Sequence, residues 1–299
     1  MKTLWYKYLC LLLLTMCSLQ AHPDHSYKPT KNLHVVRVGL NGGGIFNLTP
    51  ADGAMQSKFG GGGALAFDYT YYRSRKNLQW QTSTDVGFKT GLELGYLYSP
   101  YRAQFEHQYG NVDYLGNQMD YTTSGVVDIA QNQLYASVPL MFALRSNGFV
   151  CNLGVRLQMP FYQIGKQQLS NPLVQAYYPK YDVTVTNELI TGIVADNQLS
   201  TPLEFPSILL ECHAAMEIGY EHEIKNKNSA IGVLAYFNMG FWNSLPKATD
   251  SPIIQVAPIM DKNNPVPTVT VNNAYNALLT SYIPMQFGLK VYYAFHLTK

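Results

Sequence analysis

Strict alternation of two kinds of residue along segment 86–98 is the feature that most constrains the fold of this chain. One parity carries mainly large apolar or aromatic side chains, and the other carries glycine or charge. Such alternation is typical of a β-strand whose two faces meet different surroundings. The apolar parity contains Val86, Phe88, Leu92, Leu94, Tyr96 and Tyr98, and the opposite parity contains Gly87, Lys89, Gly91, Glu93 and Gly95.

The same alternation recurs in about eight segments, and no helical stretch follows that would cover their apolar faces. Strands of a soluble sandwich also alternate, but their apolar faces meet a protein core. The pattern therefore predicts an all-β fold, an antiparallel up-and-down transmembrane β-barrel of about eight strands. The strands are predicted near residues 34–46, 61–72, 86–98, 131–145, 149–161, 207–224, 230–242 and 282–297.

The connections between these strands alternate between short and long, as expected for periplasmic turns and extracellular loops. Two further segments, 181–193 and 267–272, also have β character. They leave two alternatives open, a ten-stranded barrel or strands that extend above the membrane. The short connections are predicted at 73–79, 145–148 and 225–228, and the long ones at 99–130, 162–206 and 243–281.

The first residues are typical of a cleaved secretory signal peptide. Lys2 and Lys7 precede the apolar run 9–16, and the small residues Ser18 and Ala21 follow it. A membrane-spanning helix would need about 20 apolar residues, and the run 9–16 is much shorter than that. We therefore expect export to the bacterial outer membrane, where the barrel contacts outer-membrane lipid.

A lipoprotein signal is the alternative, because the four residues that end at Cys17 loosely resemble a lipoprotein cleavage box. Met16 is a poor fit to the small residue normally found before that cysteine, so cleavage near Ala21 is favoured. The predicted organisation is a signal peptide at 1–21, a short periplasmic segment at 22–33 and one barrel domain at 34–299.

Charge and composition exclude one class of partner. Only 13% of residues are charged and the formal net charge is +2, so no basic surface for nucleic acid is expected. His22 and His25 flank Asp24 near the start of the mature chain, but no metal-ligand spacing is present. No metal or other cofactor is predicted.

Charged residues of the inward parity are predicted to form a lumenal charge network. An eight-stranded barrel has an interior only wide enough for its side chains, so these charges plug the lumen; a narrow conduction path is the alternative. Arg156 is expected beside the segment 211–217 on the neighbouring strand, where opposite charges could pair across the lumen. The network comprises Arg37, Asp68, Lys89, Glu93, Arg156, Glu211, His213, Glu217 and Lys290, and Glu221 shares its parity.

Ser207, Glu211 and His213 share a single strand face and are the residues most similar to a catalytic constellation. An activated serine needs a histidine within hydrogen-bond reach of its hydroxyl. Residues two apart on a strand are separated by about 7 Å, and Ser207 lies some three such steps from His213. The two side chains therefore cannot meet within this strand. We therefore predict no catalytic residues.

Two motifs, at residues 134–140 and at residues 287–293, resemble those of the PorT-like, porin-family outer-membrane β-barrel proteins. Residues 134–140 read Leu-Tyr-Ala-Ser-Val-Pro-Leu, similar to a strand with tyrosine, an apolar residue and then Pro-Leu. Residues 287–293 read Phe-Gly-Leu-Lys-Val-Tyr-Tyr, similar to a glycine-punctuated closing strand. The sequence departs from these barrels at Lys299, where an aromatic residue is usual. The resemblance implies membrane and fold, and known members include structural components of secretion and assembly complexes.

The expected function is binding or complex formation by a non-enzymatic barrel, through the segments 162–206 and 243–281. Long connections of this kind are commonly functional, and their tyrosine, proline, valine and isoleucine content favours an ordered platform. The target is a partner outer-membrane protein or a surface ligand. The alternatives are a small-solute porin and an outer-membrane lipid-modifying or proteolytic enzyme.

Overall fold

The computed structural model describes residues 27–48, 55–77, 83–112, 116–186, 199–203, 210–224, 228–243, 252–257, 268–274 and 283–298. The predicted signal peptide and Ser207 lie outside these described residues. No helix in the described ranges is long and apolar enough to cross a membrane. The strands are β1 (Tyr27–Leu48), β2 (Met55–Ser57), β3 (Gly60–Asn77), β4 (Ser83–Val112), β5 (Gln118–Ser146), β6 (Phe149–Tyr178), β7 (Val183–Thr186), β8 (Leu199–Leu203), β9 (Glu211–Glu223), β10 (Ser229–Asn243), β11 (Ile254–Ala257), β12 (Thr268–Val271) and β13 (Ile283–Thr298).

Eight of these strands close into a ring of antiparallel neighbours. β1 pairs with β3 on one side and with β13 on the other, so the sheet returns to its first strand. The ring order is β1, β3, β4, β5, β6, β9, β10 and β13. The prediction of an all-β, up-and-down barrel is confirmed, with eight strands. The two additional β segments of the sequence contain β7 and β12, and both strands lie outside the ring.

The two strand faces are arranged as the alternation predicts. On β4, Leu94 is 44% exposed on the outside, whereas Lys89 and Glu93 are almost completely buried in the lumen. Leu40 and Phe142 are even more exposed on the outer wall. The outer surface of the ring is therefore apolar, and its interior is polar.

The β5–β6 connection is the two-residue turn Asn147 and Gly148, within the short connection predicted at 145–148. Both residues have positive φ, 50° and 83°. A tight turn with two positive φ values matches the twist of the flanking strands and is preferred by Asn-Gly. This turn marks the end of the barrel that carries short connections.

The start of β1 differs from the prediction. The strand begins at Tyr27 instead of near residue 34. Residues 27–33 of the expected N-terminal tail therefore belong to the barrel wall, where β1 pairs with β3 as far as Tyr27 and Asn77.

The outward parity of β4 changes from apolar to polar at Pro100. Ten residue steps from Phe88 to Tyr98, at about 3.3 Å each and a tilt of about 40°, give an apolar band about 25 Å tall. Beyond Pro100 the inward parity changes in the opposite sense, from charged to apolar. The outward residues above Pro100 are Arg102, Gln104, Glu106, Gln108, Gly110 and Val112, and the inward ones include Tyr101, Ala103, Phe105 and Tyr109.

Above this boundary three ring strands continue as a sheet that we call the blade, comprising residues 101–112, 118–130 and 163–178. The prediction of a loop at 99–130 was wrong, because β4 and β5 stay in register up to Val112 and Gln118. The predicted loop 162–206 likewise begins with the upper part of β6. At 30 residues, β4 is about 100 Å long, far longer than a membrane requires.

The inner face of the blade contributes to a hydrophobic core that lies outside the ring of eight strands. β2 pairs with β4, and β7 and β8 pair with β6, so these strands extend the sheet. The β11–β12 hairpin packs against the inner face of the sheet. An isolated two-stranded hairpin is marginally stable at best, so this packing holds β11 and β12 in place. The core residues are Met55, Tyr101, Ala103, Phe105, Met119, Tyr121, Val127, Ile129, Leu169, Val174, Ala176, Ile253, Ile254, Val256 and Ala274.

Polar side chains fix the hairpin to the blade. The Tyr109 hydroxyl accepts a hydrogen bond from the Val256 amide at 2.8 Å, and burial raises the pKa of this tyrosine. The Gln167 side chain donates to the Asn272 carbonyl and accepts from the Ala274 amide, each at 2.9 Å. These bonds satisfy backbone groups that would otherwise be buried without partners.

Candidate functional site: the lumenal charge network

All nine residues predicted for the lumenal charge network lie inside the barrel, and each residue is at most 5% exposed. They occupy positions of inward parity on six ring strands. The structure divides them into three layers along the barrel axis instead of one cluster. The central layer is the largest and includes Asp68, Lys89, Glu93, Arg156, Glu217 and Lys290.

Two lysines and two carboxylates form a closed ring of ion pairs in the central layer. The Lys89 Nζ atom lies 3.1 Å from Asp68 and 2.5 Å from Glu217. The Lys290 Nζ atom lies 2.7 Å from Asp68 and 3.4 Å from Glu217. Because these residues come from β4, β3, β9 and β13, the ring of ion pairs crosses the lumen and ties together distant parts of the wall.

Glu93 extends this ring toward β6. Its carboxylate lies 2.9 Å from Lys290 and also forms an ion pair with Arg156. Arg156 donates to the Ser137 hydroxyl at 2.9 Å, and that hydroxyl donates to Glu93 at 3.4 Å. The central layer thus has three cations and three carboxylates, so its formal charge is balanced.

Arg156 lies beside the segment 211–217 as predicted, but the carboxylate that it pairs with is Glu93 of β4. In the register of β6 and β9, the residue opposite Arg156 is His213. Glu211 and Glu217 are offset by two and four residues along β9. The guanidinium instead passes over Ser137 of β5 and reaches Glu93 on β4.

The lower layer, nearest the Asn147–Gly148 turn, is centred on Glu221. Arg37 donates to Glu221 through two nitrogens, at 3.1 and 3.2 Å. The Arg145 Nε atom lies 3.3 Å from the same carboxylate, and the Tyr292 hydroxyl donates to it at 3.0 Å. A buried carboxylate with several donors is compensated for its loss of water.

The upper layer contains the remaining two predicted residues, Glu211 and His213. The His213 Nε2 atom is 3.0 Å from the Glu211 carboxylate, to which Gln158 donates at 3.3 Å. Gln286 continues the layer by donating to Gln158 at 3.2 Å. The His213 side chain is completely buried, so it has no contact with solvent in this arrangement.

Several lumenal residues were missed by the sequence analysis. Arg145 and Asp85 lie near strand ends and form a long ion pair of 3.9 Å, and their inward parity was the available signal. Tyr135 and Tyr292 also face inward, over Gly95 and Gly232. A Cβ atom at either glycine would lie less than 2.5 Å from the tyrosine ring, so the small residues make room for these aromatic side chains.

The arrangement binds charges to one another and leaves little free space. A cavity of about 10 Å³ lies between Glu93, Arg156, Glu217 and Lys290, which is room for about one water molecule. Within the described part of the chain, no group of three or more His, Cys, Asp or Glu side chains is arranged to hold a metal ion. The chemistry of this site is side-chain packing by neutralised ion pairs.

The fold and this site define a closed eight-stranded β-barrel with a filled lumen. No protein-family model matches the sequence, and no curated protein matches it. Among solved structures, the chain is similar to the outer membrane protease OmpT from Escherichia coli, with 10% identity and a TM-score of 0.24. The match covers 92% of this chain and 99% of that chain. At this identity and TM-score, the likeness carries no information about activity.

Proposed function

We propose that this protein is a non-enzymatic β-barrel of the bacterial outer membrane that carries the blade outside the cell as a binding or complex-forming surface. The observation that carries this proposal is the double change of polarity on β4 at Pro100. Below it apolar residues face outward and charges face inward, and above it polar residues face outward and apolar residues face inward. Such a strand passes from hydrocarbon into water.

The outer-membrane location is supported by three features together. The barrel has an even number of strands, an apolar band about 25 Å tall and aromatic residues such as Tyr96 and Tyr98 at its upper edge. The predicted signal peptide would export the chain. The short turn at Asn147 and Gly148 faces the periplasm in this orientation, and the blade faces the exterior.

A binding role is supported by the way the blade is built. A core of its own orders the three strands above the membrane, so their outer surface is fixed before a partner arrives. Both segments predicted to carry the interaction belong to this structure, since 162–206 contains β7 and β8 and 243–281 contains β11 and β12. Preorganised surfaces lose less entropy on binding.

Solute passage is the weaker candidate. The central ring of ion pairs crosses the lumen, and the adjoining cavity accommodates about one water molecule. A conducting path would require these buried charges to separate in a low-dielectric interior. No observation on the described residues favours this rearrangement.

The PorT-like resemblance is part of the proposal. The motif 134–140 lies on β5 and the motif 287–293 lies on β13, both within the ring. Known PorT-like barrels include structural components of secretion and assembly complexes, which is consistent with a complex-forming role for the blade.

Cysteine labelling in cells tests the proposed orientation. A membrane-impermeant maleimide should label Gln108→Cys on the blade in intact cells, and Ser146→Cys beside the β5–β6 turn only after the outer membrane is permeabilised. The unsubstituted protein controls for Cys151 and Cys212, which face the lipid side of the wall. Labelling of Ser146→Cys in intact cells would contradict the orientation.

Arginine substitution at two positions of the same parity on β4 tests where hydrocarbon ends. Leu94→Arg should lower the free energy of unfolding in lipid vesicles by about 2–4 kcal/mol, the usual cost of a cation near the bilayer midplane. Gln104→Arg, above Pro100, should change it by less than about 0.5 kcal/mol, as expected for a surface site. The free energies are measured by urea titration. If both substitutions lowered the free energy of unfolding equally, residues 94 and 104 would lie in the same surroundings, which would contradict a membrane boundary near Pro100.

A further inference from the structure

The upper part of β4 is a sheet edge among the strands that the structure describes. On one side it pairs with β5 as far as Val112. On the other side, the pairing with β3 ends at Tyr98 and the pairing with β2 ends at Ala103. Among the described strands, none pairs with residues 104–112 on this side. Within the described part of the chain, nine consecutive residues of the blade are therefore an edge strand.

The backbone groups that point to this open side can be identified. The Pro100 carbonyl accepts a hydrogen bond from the Lys58 amide at 2.9 Å, so Pro100 directs its backbone away from β5. Backbone direction alternates along a strand, and the β4–β5 register is continuous here. The residues that direct both N–H and C=O to the open side are Gln104, Glu106, Gln108, Gly110 and Val112. Among these, the Val112 N–H donates to the side-chain oxygen of Asn111 at 2.9 Å.

We propose that this edge takes up an extended segment of a partner polypeptide as an additional strand of the blade. Unpaired N–H and C=O groups in a row are a template for strand addition. Residues 104–112 contain no proline and no lysine, two residue types that commonly block such edges. The proposal rests on the function proposed above, because it names the surface of the blade that recognises the partner.

The side chains along the edge define the chemistry of the partner segment. Phe105 and Tyr109 belong to the apolar inner face, and Gln104, Glu106 and Gln108 belong to the exposed outer face. Glu106 forms no ion pair with any described residue. An added strand therefore alternates apolar or aromatic residues with polar ones, and carries lysine or arginine opposite Glu106.

A second copy of this chain in the same membrane is a poor occupant. Two upright copies have β4 strands that run in the same direction. Bringing their two β4 edges together turns one blade over, so the apolar inner face of one copy would continue into the polar outer face of the other. A separate extended segment has no such restriction and can align antiparallel with its apolar face inward.

Amide hydrogen exchange measured by NMR tests this proposal on the full-length protein in lipid nanodiscs. The probe is a nine-residue peptide, Thr-Val-Lys-Val-Thr-Tyr-Lys-Val-Thr. Without it, amides of residues 104, 106, 108 and 110 should exchange at least about 100-fold faster than those of residues 105, 107, 109 and 111, which β5 protects. Saturating peptide should slow the first set at least about tenfold and leave the second set unchanged.

Matched variants separate a β-ladder from other binding. Gln108→Pro removes one edge N–H without touching the pairing with β5, and should weaken peptide binding at least about tenfold. Gln108→Thr keeps the N–H and should bind as the parent does. Of two peptides N-methylated on alternate residues, only the one with free amides toward β4 should bind.

Three results would overturn the proposal: no protection at about 1 mM peptide, equal affinity for Gln108→Pro and Gln108→Thr, or equal binding of both methylated peptides. The methylated peptides keep the test decisive if Gln108→Pro does not fold. A failure here with normal cell-surface labelling of Gln108→Cys would remove the edge as the binding surface. A failure of that labelling would instead remove the extracellular location.

Discussion

Replacing Lys290 with methionine is expected to lower the free energy of unfolding by about 3–5 kcal/mol, the usual cost of removing one member of a buried ion network. The Lys290 ammonium group contacts three carboxylates, those of Asp68, Glu93 and Glu217. Its loss leaves three buried negative charges facing two cations. The change is measured by urea unfolding in lipid vesicles, in which the folded fraction is monitored by its heat-modifiable mobility on gels.

A second substitution distinguishes charge imbalance from lost packing. Adding Asp68→Asn to Lys290→Met restores the balance, because Lys89 retains Glu217 and Arg156 retains Glu93. The double variant should recover at least about half of the lost stability. Lys166→Met, on the exposed face of the blade, is the matched control and should be nearly neutral. A Lys290→Met protein as stable as the parent would disprove the structural role of the network.

Replacing Ile129 with aspartate is expected to unfold the blade while the barrel stays folded. Ile129 is 2% exposed and lies opposite Tyr101 and Gln167 within the blade core. An unpaired carboxylate buried there costs about 4 kcal/mol or more. The barrel is stabilised separately by its closed hydrogen-bonded ring and its lumenal ion pairs, so the damage should remain above the membrane.

Limited proteolysis combined with gel mobility distinguishes local from global unfolding. In the Ile129→Asp protein, proteinase K should cut the blade rapidly while the barrel keeps its heat-modifiable mobility. Gln104→Asp places the same charge on the exposed face of the blade and should leave it resistant to the protease. If the Ile129→Asp protein lost protease resistance and heat-modifiable mobility together, the blade and the barrel would fold as one unit.

The pairing of Arg156 illustrates what the sequence leaves open within the site. Alternation placed Arg156, Glu93 and Glu217 in the lumen, because side-chain direction follows from position along a strand. Which carboxylate the guanidinium contacts depends on the stagger of neighbouring strands and on the path over Ser137. Neither is encoded within one strand, so the sequence placed Arg156 beside the segment 211–217 without identifying Glu93 as its partner.

The blade illustrates the same limit for the fold. The alternation is present in the sequence at 99–130, but the residues of outward parity there are mainly polar. Because membrane strands were expected to have apolar outward faces, this segment was predicted as a loop. The reversal of both faces becomes interpretable once Phe105, Ile129 and Val174 are seen to share a core with residues of β2 and β11. Contacts between segments this distant are not visible in a local pattern.

The sequence by itself determined the all-β class, the up-and-down barrel and which residues face the lumen, because each follows from a period of two along single strands. Strand pairing in the structure decided between eight and ten strands. The tertiary structure alone decided the closed ring of ion pairs through Lys89 and Lys290, the height of the blade and its open edge at 104–112. These depend on register and on packing between segments that are distant in the chain. A strand pattern specifies which way a side chain points, and only the assembled sheet specifies what it meets.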